Sequence, residues 1–357
     1  MTTKTHLLSL DYTALIHICE QLDVSPVHAK KIMGKVFRYG EFDLENIPNF
    51  PKKLLFWLQE NTSLLLPEII ANQQAEDTTQ KLLMRMADNK DVESVLIPAE
   101  NRMTQCISSQ VGCAIGCEFC LTATAGLTRN LTAAEMMQQV LVAKQTLGYF
   151  PRNIVMMGMG EPLHNYEHVA KFVRMVTHEL GMALSPRRVT ISTAGLVPAI
   201  ERMLDDDLPC SLAVSLNATT NETRNQIMPI NQKYPLEDLL AVMDKYVSAR
   251  NKKRILIEYV LLAGINDSPD DAKRLRDIAL SLGSTVNILP FNPFMGSRFT
   301  RPRDEVVDMF RNYLNDAGVV AVVRISKGRE ISAACGQLKT EVNQRAAEIR
   351  LQRRQTS

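Results

Sequence analysis

Between residues 132 and 325 the chain repeats one pattern, and that pattern leaves few folds open. Short, nearly continuous apolar runs alternate with amphipathic helical stretches: helix 132–147, strand 153–157, helix 166–180, strand 188–192, helix 197–204 and strand 211–216. Helix 236–248, strand 255–261, helix 269–281, strand 285–289, helix 304–316 and strand 319–325 complete the series. A strand that is apolar on both faces must be covered on both faces, so the alternation predicts a parallel sheet layered with helices. Six or seven repeats favour an α/β architecture, a partial TIM-like (β/α) barrel, over a doubly wound sheet.

In such an architecture chemistry belongs to the loops that follow the strands. The polar motifs fall there: Gly158-Met159-Gly160-Glu161-Pro162, Ser192-Thr193-Ala194-Gly195, Asn217-Ala218-Thr219 and Asn292-Pro293-Phe294. A first strand, 105–109, leads into the densest motif, where four of the seven cysteines lie between Cys106 and Cys120. Cys113, Cys117 and Cys120 are spaced so that one compact loop can bring three thiolates to a metal centre. Gly112 and Gly116 let the backbone turn around a bulky group. Two donor sets fit this spacing. Structural zinc needs four closed ligands, the fourth supplied by Cys106 or Cys210. A 4Fe–4S cube normally takes four cysteines, and one held by three leaves an iron open to a substrate or cofactor.

The 357 residues, 45% of them hydrophobic, suffice for a large core with an appendage. Residues 1–90 read as a small helical accessory unit with a linker, expected to bind RNA. Helices are expected at 11–22 and 25–37, a turn at 48–51, and an amphipathic stretch around Trp57. Strands 81–86 and 92–97 bridge to a core spanning 91–340, and 341–357 forms a basic C-terminal helix or tail. The net charge of +2 does not by itself mark a nucleic-acid binder. Basic residues cluster locally at Arg250, Lys252, Lys253 and Arg254, and again at Arg345, Arg350, Arg353 and Arg354. No secretory leader is visible and no apolar run reaches the ~18 residues of a membrane span. Cys19, Cys210 and Cys335 are scattered and the total is odd, which suits metal-binding or catalytic thiols in a reducing cytoplasm.

The Cys-x3-Cys-x2-Cys loop after the first barrel strand resembles the signature of radical S-adenosylmethionine enzymes. The strings QVGCAIGCEFC, RNLTAAE, MMGMGEPLHNY, ISTAGLVP, MPINQKYPL, EYVLLAGINDS and ISAACGQL are similar to the adenine C2-methyltransferase family acting on 23S rRNA and tRNA. That family is close kin to C8-methylating enzymes. The resemblance implies a radical S-adenosylmethionine barrel and one 4Fe–4S cluster held by Cys113, Cys117 and Cys120. It further implies two S-adenosylmethionine molecules per turnover. One methylates a cysteine; the second is cleaved to a 5′-deoxyadenosyl radical that takes hydrogen from that methyl group. The resulting methylene adds to carbon 2 of adenine, and a second cysteine releases the product by forming a disulfide.

On this resemblance Cys335 is the methylated residue and Cys106 the resolving thiol. Gly160, Glu161, Ser192, Ser215, Leu216, Asn217 and Asn292 are implied to bind S-adenosylmethionine. Glu93 matches the family's proton acceptor, although its alternation with apolar neighbours also permits a surface carboxylate. Implied partners are 23S rRNA, tRNA or both, and an electron donor such as flavodoxin or ferredoxin, with the chain acting as a monomer. Three positions depart from the family pattern: Asn217 where histidine is usual, Leu121 after the third cluster cysteine, and Arg329 in place of aspartate. The competing readings are a C8-adenine rRNA methyltransferase, a divergent RNA methyltransferase of the same family and, from another class, a non-catalytic zinc-bearing RNA-binding module.

Overall fold

The computed structural model describes residues 4–100, 102–249, 255–324, 327–328 and 331–338. Both basic clusters, Arg329 and the 341–357 tail lie outside the described residues. The strands of the main sheet are β1 (Glu68–Gln74), β2 (Gln80–Arg85), β3 (Asp91–Ala99), β4 (Arg102–Cys106), β5 (Asn153–Met156), β6 (Val189–Thr193), β7 (Ser211–Ser215), β8 (Leu256–Leu261), β9 (Thr285–Pro290) and β10 (Ala321–Val323). Helices α1 (Tyr12–Gln21), α2 (Val27–Ile32) and α3 (Lys52–Asn61) precede the sheet. The crossovers carry α4 (Ala133–Leu147), α5 (Tyr166–Thr177), α6 (Val197–Asp205), α7 (Asn221–Ile227), α8 (Leu236–Ala249), α9 (Pro269–Ser281) and α10 (Asp304–Asp316).

From β4 to β10 each strand pairs in parallel with the next in sequence. The chain therefore steps one strand at a time in one direction, as in a barrel; a doubly wound sheet reverses direction. The sheet stays open. On one side it ends at β10, and on the other β4 pairs antiparallel with β3, which is followed by β2 and β1. The expected strand at 105–109 ends earlier, at Cys106. Ile107 and Ser109 still donate to the carbonyls of Val155 and Met159, so the segment leaves the ladder along the β5 loop.

Apart from the short α7, which the spacing did not mark, the crossover helices form where the apolar spacing puts them, and caps fix several of their starts. Thr132 Oγ1 accepts from the Glu135 amide and Glu135 returns a bond to the Thr132 amide, which sets the first turn of α4. Ser268 and Asp271 do the same for α9. The expected 25–37 helix is α2 followed by a π-helical turn, Met33–Arg38. Strand β1 was not expected: EIIANQQ is polar and mostly exposed, and only its pairing with β2 makes it a strand. The main core lies between sheet and helices, with Tyr259 of β8 stacked on Phe310 of α10 at 5.6 Å. Among the described residues no helix is long and apolar enough to cross a membrane.

Candidate active site

Side-chain alternation along the parallel strands turns one set of residues away from the helices. Across β7, β8 and β9 the register pairs Ser215 with Glu258 and Glu258 with Asn287, so polar groups share that inner face. The strand-end loops close around them to form a cavity. Cys113, Cys117, Cys120, Gly160, Glu161, Ser192, Ser215, Asn217, Asn292 and Cys335 all line it. Leu216, Cys106 and Glu93 do not. Leu216 is fully buried, and its amide donates to the Glu258 carbonyl.

The cysteine loop hangs from a short antiparallel pair, Gln110–Gly112 with Leu127–Asn130. Gly112 is required there: its φ is +80°, and a Cβ would stand 1.9 Å from the Gly126 carbonyl oxygen. Burial pushes all three thiols up, and repulsion from neighbouring thiols adds to it at Cys113, raised to about 12, and at Cys117, raised well above its ordinary value. A thiolate trio in this apolar wall therefore needs cationic charge, which iron supplies. Among the described residues no three His, Cys, Asp or Glu side chains surround a point that could hold one metal ion. Three thiols spread along one wall fit a cube, in which each thiolate takes a separate corner iron, better than a closed tetrahedral zinc site.

The Gly158–Pro162 loop is braced against that hairpin. The Glu161 amide donates to Gln110 Oε1 at 2.8 Å, and Gln110 Nε2 donates to Asn130 Oδ1 at 2.7 Å. Gly160 has φ +102°, and a Cβ would meet Gln110 Cβ at 2.5 Å, so no side chain fits between the two loops. The Glu161 carboxylate is buried and accepts from the amides of Leu163 (3.0 Å) and Ala194 (2.7 Å). Burial raises its pKa to about 7 against those bonds. Asn217 adopts φ +57°, a region asparagine tolerates well. Its Oδ1 accepts from the Val260 amide at 2.8 Å and its Nδ2 lies 3.3 Å from Met228 Sδ.

The segment 331–338 crosses the cavity from the far end of the chain. The Leu121 amide donates to the Gly336 carbonyl (2.8 Å), Thr122 Oγ1 to the Leu338 carbonyl (2.7 Å), and Gln337 Nε2 to the Pro293 carbonyl (3.3 Å). Cys335 thereby presents its thiol to the cavity. The protein around it raises its pKa to about 11, Glu258 adding to the effect. Cys106 lies beneath, packed with Val95, Met159, Ala333 and Leu338. Burial raises its thiol steeply, and the nearby Cys335 raises it further. Glu93 is 3% exposed, which removes the surface-carboxylate alternative; its Oε1 lies 3.2 Å from Lys81 Nζ.

Two charged residues at the site escaped the sequence reading. Glu258 faces the cavity with Oε1 held by Asn287 Nδ2 at 2.9 Å, and burial raises its pKa to about 7. A lone carboxylate inside the apolar run 255–262 was its available signal. Arg224, on α7, had none, because polar residues surround it in sequence.

Residues 107–275 match the model of the Radical SAM superfamily. The chain is 43% identical over 344 residues to a dual-specificity RNA methyltransferase RlmN of Pelobacter propionicus, covering 96% of this chain and 98% of the relative. It is 46% identical over 317 residues to the protein of that name in Geobacter sulfurreducens, covering 88% and 86%. A crystal structure of a radical SAM methyltransferase from Sphaerobacter thermophilus superposes with a TM-score of 0.87 at 39% identity, over 94% of this chain and 99% of that one.

Proposed function

Because this chain belongs to the RlmN family of radical SAM RNA methyltransferases, we propose that it methylates carbon 2 of adenine in 23S rRNA, tRNA or both, through Cys335 and Cys106. The observation that carries this reading is the approach of two thiols from opposite ends of the core. Cys106 at the end of β4 packs against Ala333 and Leu338, which flank the cavity-facing Cys335.

Cys113, Cys117 and Cys120 would hold the 4Fe–4S cluster. Bound there, the cluster supplies the electron that cleaves S-adenosylmethionine. Glu161 and Gly160, with Ser192, Ser215, Asn217 and Asn292, would receive S-adenosylmethionine; Leu216 would act through its backbone, behind the wall. Cys335 loses its thiol proton and takes the methyl group from one S-adenosylmethionine, and a second is consumed in each turnover. Glu93 would take the proton that adenine carbon 2 gives up, with Lys81 stabilising the carboxylate beforehand. The Cys106 thiolate then attacks Cys335 Sγ; the bond from that sulfur to the product methylene breaks, and its electron pair stays on carbon, which takes a proton to become the methyl group. The Cys106–Cys335 disulfide that forms is reopened by two electrons from the external donor. An external donor such as flavodoxin or ferredoxin would supply the electrons, and the chain would act as a monomer. The target base must leave its stack to enter the cavity, which suits a loop better than a duplex.

Nucleoside analysis of rRNA and tRNA from cells with and without the gene tests the target atom. Loss of 2-methyladenosine is expected; loss of 8-methyladenosine with 2-methyladenosine intact would transfer the assignment to carbon 8. Cys106→Ala is expected to accumulate a covalent protein–RNA adduct visible on a denaturing gel. Normal turnover by that variant would remove Cys106 from the mechanism.

A further inference from the structure

Arg224 is the largest fully buried side chain among the described residues, at 0% exposure. Its Nε donates to the Leu216 carbonyl at 3.0 Å and Nη1 to Asn231 Oδ1 at 3.0 Å. Nη2 donates to the carbonyls of Ala194 at 2.6 Å and Ser215 at 3.4 Å. Every one of these acceptors is neutral, and no carboxylate among the described residues forms an ion pair with it. A buried guanidinium held only by dipoles is costly, since burial favours paired charges.

The missing counter-charge lies on the neighbouring loop. The Glu118 amide donates to the Ile227 carbonyl at 3.0 Å, which ties the turn after Cys117 to the end of α7. Cys117 and Phe119 pack against the cluster that contains Ile227, Met228 and Ala194. Ala194, whose carbonyl accepts from Arg224 Nη2, belongs to that same cluster, so the guanidinium lies behind the wall that carries Cys117. Three thiolates on a cube leave net negative charge, and reduction adds another electron. A fixed cation in a low-dielectric wall stabilises the reduced form more than the oxidised one.

We infer that Arg224 is the built-in counter-charge of the iron–sulfur site, raising the cluster's reduction potential while its hydrogen bonds brace the loops after β6 and β7. This rests on the three-cysteine cluster. Iron and sulfide content of the reconstituted wild type checks that premise first: a wild type holding no cluster sinks the premise, whatever the variants do. An EPR-monitored redox titration then compares wild type, Arg224→Gln and Arg224→Lys. Arg224→Gln is expected to lower the ratio of reduced to oxidised cluster at a fixed potential about tenfold, equal to about 59 mV for one electron. Arg224→Lys, which keeps the charge and loses the planar fork, should stay near wild type in potential even if it melts lower. A wild-type potential in fully loaded Arg224→Gln overturns the inference, as does an equal fall in Arg224→Lys. If Arg224→Gln takes up no iron, loading by Arg224→Lys supports the charge, and failure of both assigns Arg224 to bracing alone.

Discussion

Glu258 shows how a single residue changes meaning when its surroundings are known. In sequence it is one carboxylate in the run 255–262; in the fold it faces the cavity between Asn287 and the Cys335 segment. Burial lifts its pKa from an ordinary carboxylate value to about 7, against the Asn287 bond and the Arg324 charge. A carboxyl raised in the folded state stabilises the fold most below its unfolded pKa. That contribution is lost as pH climbs from about 4.5 to about 7, and is worth about 3 kcal/mol across the window. Denaturant unfolding of cluster-free protein at pH 5 and pH 7.5 should show wild type losing about that much relative to Glu258→Gln. Parallel pH dependence in the two proteins would mean that the carboxyl does not titrate in this window. The cysteine and Glu161 motifs were legible because their spacing is short and local. Arg224 was not, because three of its four acceptors are backbone carbonyls at the ends of β6 and β7, and backbone carbonyls leave no trace in residue identity.

Among the elements, the cysteine hairpin is built on very little regular structure. Its strands are only three and four residues long, so its geometry depends on the approach of Gly112 to Gly126 and on Gln110 linking Asn130 to Glu161. Gly112→Ala would drive a methyl group into the Gly126 carbonyl at a left-handed φ. The expected outcome is a loss of about 4 kcal/mol or more in stability, at the severe end for point substitutions. Thermal unfolding and iron content after reconstitution read it together: full iron content at an unchanged melting temperature would show that the loop yields. The long crossover helices were legible to within a few residues, since each combines an amphipathic face with caps such as Thr132–Glu135. Strand β1 was not, because an exposed edge strand has little hydrophobic pattern to show and gains its order from β2.

For the whole molecule, the sheet runs without a break from β1 to β10, so the expected limit of the accessory unit at residue 90 falls in the turn between the paired strands β2 and β3. Lys81 of β2 reaches both Glu93 of β3 and, at 3.5 Å, the carbonyl of Ser332 in the segment that bears Cys335. Asp77 and Lys327 add to that docking, through the Gly328 amide and the Pro98 carbonyl. Lys81→Ala should destabilise the chain by about 3 kcal/mol, since it removes one partner of a buried pair. It should also speed alkylation of Cys335, because the segment is held less firmly. Mass spectrometry of timed alkylation follows the second effect; an unchanged Cys335 rate would show that the other contacts suffice.

The sequence by itself determined the parallel alternation, the helix starts, the three-cysteine loop and the two isolated thiols, because each rests on spacing within a few residues or on a string of local motifs. Tertiary structure alone decided where the sheet ends, that Glu93 is buried against Lys81, that Glu258 joins the cavity and that Arg224 is buried against the ends of β6 and β7. Those outcomes depend on which strand edges pair and which loops converge. Long-range packing sets the desolvation and the partners of a charged group, and no local spacing encodes either.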